Sequence, residues 1–74
     1  MKLKVVLGYT RVDKHIEWKD DLNGKIFNSF NKVLDAIKLN EHVTVEDIST
    51  GNGYKEVWKD DEGEWIQKRW ANDY

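Results

Sequence analysis

The densest chemistry in this sequence is the run Asp60-Asp61-Glu62-Gly63-Glu64, four carboxylates in five residues. Such a cluster could ligate calcium or work as paired acids. A calcium loop needs oxygen ligands at alternate positions, a central glycine and a closing glutamate, and this run has no such spacing. Acid–base work needs a carboxyl group held near a reacting proton, and a run shaped like a turn tip implies no cleft. His15 and His42 lie too far apart to share a local metal-ligand motif. There is no cysteine, so disulfides, thiolate metal sites and a cysteine nucleophile are excluded. Ser29 and Ser49 lack the nucleophile-elbow pattern. Gly51, Gly53 and Gly63 stand in hairpin-type turns, not between a strand and a helix where a phosphate loop forms. The expectation is a protein that is not an enzyme, with no metal and no cofactor.

What remains is binding, and the aromatic residues carry it. Trp58 and Trp65 flank the acidic run within Tyr54–Trp70. A hairpin closing there sets Lys59 opposite Glu64, Trp58 opposite Trp65, Val57 opposite Ile66 and Glu56 opposite Gln67. One face then carries both indoles with Tyr54, Glu56, Gln67 and Arg69. The other carries Val57 and Ile66 among Lys55, Lys59, Glu64 and Lys68. One helix covers one face of a sheet, so one apolar pair is left near solvent. The expectation is that the tryptophans fill the core, because a chain this short needs their volume. The alternative turns Val57 and Ile66 to the helix and Trp58 and Trp65 outward, as an aromatic patch with the composition of a binding hot spot. Trp18 and Trp70 pose the same choice, each either a lid on the sheet or an exposed ring.

The positioning elements follow from periodicity. Residues 2–10 alternate, with Leu3, Val5, Leu7 and Tyr9 predicted on one face and Lys2, Lys4, Gly8 and Thr10 on the other; Val6 interrupts the polar side. A short strand is predicted at His15–Trp18, a turn at Asp20–Gly24 and a returning strand at Lys25–Phe27. Asn28 or Ser29 can cap a helix from Phe30 whose stripe is Phe30, Val33, Leu34 and Ile37. A start at Gly24 or Lys25 is the alternative, but Gly24 serves better as a turn. A strand through Val43–Ser49, a turn at Thr50–Gly53 and the final strands at 54–59 and 64–70 complete the chain. The fold class is α+β, an antiparallel sheet of four or five strands with one helix on one face, in a single compact domain over residues 1–74.

Seventy-four residues lie near the lower limit for independent folding. The net charge of −2 does not favour general nucleic-acid binding. Residues 1–40 hold eight Lys/Arg and five Asp/Glu, while residues 41–74 hold four and nine, so the ends carry opposite charge. No run approaches the roughly 20 apolar residues of a membrane span, and a soluble, cytoplasmic protein is expected.

The opening strand, the helix introduced by Phe27-Asn28-Ser29-Phe30 and the hairpin around Asp61-Glu62-Gly63-Glu64-Trp65 resemble small phage-encoded accessory proteins of the anti-CRISPR type. That resemblance implies a non-enzymatic inhibitor or adaptor occupying a surface of a host nuclease complex. From the residues themselves, the expected contacts are Tyr54, Trp58, Asp60, Asp61, Glu62, Glu64, Trp65, Arg69 and Trp70, with the carboxylates meeting basic groups on a protein partner. A single-stranded nucleic-acid binder using the same aromatic face ranks second. A homodimer through the exposed apolar face is the third possibility.

Overall fold

A computed structural model describes residues 1–51 and 53–68. Its elements are β1 (Leu3–Val12), β2 (His15–Trp18), β3 (Ile26–Phe27), α1 (Phe30–Ala36), β4 (Glu41–Asp47), β5 (Tyr54–Asp60) and β6 (Gly63–Lys68). The fold is α+β: one helix on an antiparallel sheet of order β2-β1-β4-β5-β6, with the two-residue β3 also paired to β1. β2 and β3 share the outer edge of β1, one at each end. Between them, backbone hydrogen bonds from Lys19 to Gly8, from Gly24 to Val5 and from Val5 to Lys25 hold the connecting loop to the same edge. No helix among the described residues is long and apolar enough to cross a membrane.

The core lies between α1 and one sheet face. Leu3, Val5, Val43, Val45 and Val57 form its floor, and Val33, Leu34 and Ile37 close it from the helix, all buried. Phe30 and Phe27 pack at its rim. The helix stripe therefore sits where its spacing predicts, with Asn31, Lys32, Asp35 and Lys38 exposed. Ser29 begins the helix: its Oγ accepts the Lys32 amide at 3.2 Å. At the other end the Lys59 ammonium donates to the Leu34 carbonyl at 2.7 Å, binding β5 to the last helical turn. A helix of seven residues depends on such ends, because only three of its amides can reach a carbonyl within the helix. Ser29→Ala should lower the unfolding free energy by about 1 kcal/mol, and Ser29→Gly by only a few tenths. Urea titration followed by circular dichroism measures both.

Two expectations need correction here. The alternation of β1 does not run through the strand. Val5 pairs with Val45 but Leu7 with Thr44, so Val6 is an extra residue in a β-bulge. Leu3 and Val5 face the helix, but beyond the bulge Leu7 and Tyr9 face away from it and Gly8 turns inward against Val43. The polar-face position that Val6 broke was the bulge itself. Gly8 fits where little else would: a Cβ there would stand 2.9 Å from the Lys19 carbonyl oxygen, which belongs to the strand-edge backbone.

The second correction concerns the tryptophans. Val57 is fully buried under α1, whereas Trp65 is 43% exposed, so the indole face points away from the helix. The pairing Val43 to Val57 puts both on the helix side, and His42 to Trp58 puts both on the open side. Valines need no hydrogen-bond partner once buried. Indole, imidazole and phenol groups carry polar atoms that do, and the open face supplies one each to Tyr9, His42 and Trp65. Ile66 shares the Val57 side but lies 45% exposed, because the helix packs over β5 and stops short of β6. The outward alternative thus holds: both tryptophans face away from the helix, and Val57 and Ile66 lie on its side, with Ile66 beyond its reach. Strand β4 begins at Glu41, two residues before its predicted start, and Asp60 pairs with Gly63, so the tip turns through Asp61 and Glu62 alone. Gly63 has φ 140°, a backbone conformation that side chains disfavour.

Candidate interaction surface

On the face that α1 leaves uncovered, one aromatic residue from each of five neighbouring strands falls on a single cross-strand line. The register sets Trp18 opposite Tyr9, Tyr9 opposite His42, His42 opposite Trp58 and Trp58 opposite Trp65. The rings make contact along the whole line. Trp18 meets Tyr9 edge to face at 5.9 Å between centroids. Tyr9 stacks on His42 at 4.8 Å, His42 on Trp58 at 5.5 Å and Trp58 on Trp65 at 6.3 Å, with interplanar angles of 18° or less. Cross-strand aromatic pairs of this kind stabilise a sheet by roughly 0.2–1 kcal/mol each.

Three polar atoms of the row, on Tyr9, His42 and Trp65, find partners beside it. Glu56 lies beside it, and one oxygen, Oε1, accepts from the Tyr9 hydroxyl at 2.9 Å and pairs with His42 Nδ1 at 3.0 Å. A carboxylate only accepts, so this contact places a proton on Nδ1. The His42 and Glu56 side chains are 18% and 17% exposed, which shelters their contact from competing water. Burial first, then the Glu56 hydrogen bond and charge, raise the Tyr9 phenol above its ordinary value; Arg11 opposes them. The stability from this arrangement is present below the ordinary phenol pKa and is lost as pH climbs through the raised one.

At the β6 end the indole N–H of Trp65 donates to Asp60 Oδ1 at 3.2 Å, and the Glu62 amide donates to the same oxygen at 2.9 Å. These bonds, the indole's foremost, hold the Asp60 carboxyl below the ordinary value of 3.8. The stability they give is present above the ordinary carboxylate pKa and is lost as pH falls through the lowered one. The Trp65 indole N–H proton resonance should therefore titrate with a midpoint below 3.8. In Asp60→Ala that transition should vanish, which proton NMR detects.

Of the residues expected at the site, the structure brings Trp58, Trp65 and Asp60 together. Asp61, Glu62 and Glu64 are exposed at or beside the tip. Glu64 stands opposite Lys59 on the opposite sheet face from the indoles. Tyr54 begins β5 opposite Glu46, four register positions from Trp58 along the strand, on the open face. Arg69 and Trp70 lie outside the described residues. Sequence reasoning did not place Tyr9, His42 and Trp18 in the row. Their alignment depends on the register across three strand pairs and on the bulge at Val6, which no local pattern displays.

Chemically the surface is an aromatic strip with an acidic end. The stacked rings turn their faces to one another and offer their edges, while Trp18 at one end is 65% exposed. Among the described residues, no three His, Cys, Asp or Glu side chains are arranged to hold a metal ion. No protein-family model, curated protein or solved structure matches the chain.

Proposed function

We propose that this chain is a non-enzymatic protein-binding module, an inhibitor or adaptor that engages a macromolecular partner through the open sheet face. The observation that carries this reading is the unbroken five-ring row on the face that the helix leaves uncovered. Aromatic side chains held in fixed positions contribute contact area with little entropy left to lose, and they dominate interface hot spots. Exposed ends at Trp18 and Trp65 offer apolar anchors. Asp61, Glu62 and Glu64 add negative charge at one end, suited to a basic groove such as a nuclease complex uses for nucleic acid. Asp60 has a different part: it orients the Trp65 indole and the tip backbone.

Base stacking fits this geometry less well. A nucleic-acid platform presents ring faces to bases, and here Tyr9, His42 and Trp58 stack their faces on neighbouring rings. The acidic tip also repels phosphate.

The test is capture from lysate of the native host, with and without nuclease treatment, using wild type and a Trp58→Ala/Trp65→Ala variant side by side. A protein retained by wild type and lost by the variant supports the reading. Retention of nucleic acid alone, abolished by nuclease, would replace it.

A further inference from the structure

Beyond the end of α1, on the helix side of the sheet, lies an open groove of about 480 Å³, within the size range of small-ligand clefts. Its floor follows from strand register. Thr10 stands opposite Glu17 of β2 on one side and opposite Glu41 of β4 on the other. Directly opposed residues share a face, and Thr10 lies two residues beyond Gly8, which faces the helix side against Val43. Two strand spacings separate the glutamates, so their backbones stand roughly 10 Å apart with Thr10 between them. Lys38 and Leu39, which lead into β4, and Lys19 to Asp21, which follow β2, complete the lining. We propose that this groove binds a guanidinium group, the head of an arginine side chain, held between Glu41 and Glu17.

Glu41 carries the argument. It is only 6% exposed, an unusual place for a carboxylate without a cation. Oε1 accepts the Lys38 amide at 3.0 Å, and the Glu41 amide donates back to the Lys38 carbonyl at 3.0 Å, so the side chain is held in place before any ligand arrives. Oε2 has no partner among the described residues and is not sealed from solvent, which leaves it to the groove that Glu41 lines. The lining carries four acids, Glu17, Asp20, Asp21 and Glu41, against Lys19 and Lys38, so its charge selects a cation.

The spacing selects which cation. Among the described residues no three acidic or histidine side chains gather closely enough to hold a metal ion. A guanidinium has donors on opposite edges of one plane and can bond two separated carboxylates at once, whereas an ammonium is a point charge. The Thr10 hydroxyl between them can accept a further bond, and Leu39, 53% exposed, offers apolar cover to the aliphatic stem. Lys19 already pairs with Glu17 at 3.1 Å, but both side chains are exposed, and such a pair yields to a bidentate competitor.

The groove lies on the opposite face from the aromatic row, and its test needs no protein partner, so its outcome is independent of the proposed function. N-acetylarginine amide, with its citrulline and lysine counterparts, is titrated into the isotope-labelled full chain and followed by NMR. The Lys38 amide, bonded to Glu41, is the reporter. The arginine probe should shift it at millimolar concentration, the lysine probe should bind severalfold more weakly, and citrulline, uncharged but alike in shape, should leave it unmoved. Glu41→Gln keeps an oxygen for the Lys38 amide and removes the charge, so it should weaken the arginine probe about tenfold. Glu17→Gln, on an exposed strand where folding is not at stake, should weaken it severalfold. An unmoved reporter with arginine, equal shifts with citrulline or lysine, or wild-type affinity in Glu17→Gln would each overturn the proposal.

Discussion

Val57→Asp should leave the chain unfolded at room temperature, whereas Trp65→Ser should leave it folded. The two positions differ in what surrounds them. Val57 is fully buried on the helix side, among the core residues closed from above by Val33 and Leu34. An aspartate there lies among core hydrocarbon, and of the two cations two residues away on that face Lys59 already donates to the Leu34 carbonyl while Lys55 sits over the Phe30 ring. An unpaired buried carboxylate costs several kcal/mol even when it takes up a proton. A chain of 74 residues has a total stability of roughly 4–11 kcal/mol. The substitution therefore removes most or all of it. Trp65 is 43% exposed at the sheet's edge. Its removal loses one ring contact and one exposed hydrogen bond, about 1–2 kcal/mol together. Thermal melts followed by circular dichroism separate the outcomes. If the tryptophans were the core, the order would reverse.

Partner binding should divide the same surface by rate. Loss of Trp58 and Trp65 together removes the anchors at one end of the row, and hot-spot truncations cost about 2 kcal/mol or more apiece. The affinity of the Trp58→Ala/Trp65→Ala variant should fall by roughly a hundredfold or more, chiefly through faster dissociation. Replacing Asp61 and Glu62 by Asn and Gln leaves the row intact. That variant should associate more slowly, lose part of the salt dependence of binding and dissociate at the wild-type rate. Asp60→Asn belongs to neither class. Its side chain holds the Trp65 indole, so its effect should follow the anchors rather than the charges. Surface plasmon resonance at two salt concentrations measures all three.

The sequence makes local structure legible wherever a short-range signal is decisive. Ser29 is the cap and the helix stripe is as spaced, because capping and helical periodicity act within one or two turns. The hairpin register from Lys59–Glu64 to Glu56–Gln67 matches the reading for the same reason, since a tight turn counts residues outwards from its tip. Which hairpin face would be covered was not a local question. It was decided by the pairing of Val43 with Val57, and by polar ring atoms that needed Glu56, Asp60 or water. Aromatic volume argued for burial, and the hydrogen-bonding demands of those rings outweighed it. The bulge at Val6 had the largest consequence for the site. It moves Tyr9 from the side of Leu3 and Val5 to the side of His42 and so completes the row. A simple period-two reading of β1 puts Tyr9 in the core.

The central claim is that the open aromatic face makes the contact, and one comparison tests it most directly. Nuclease-treated host lysate is passed over wild type, Trp65→Ser and Ile26→Ser, the last an exposed apolar residue on β3, away from the row. Captured proteins are then quantified by mass spectrometry. The account predicts a partner held equally by wild type and Ile26→Ser and lost from Trp65→Ser. A partner held equally by all three, or lost only with Ile26→Ser, would contradict it.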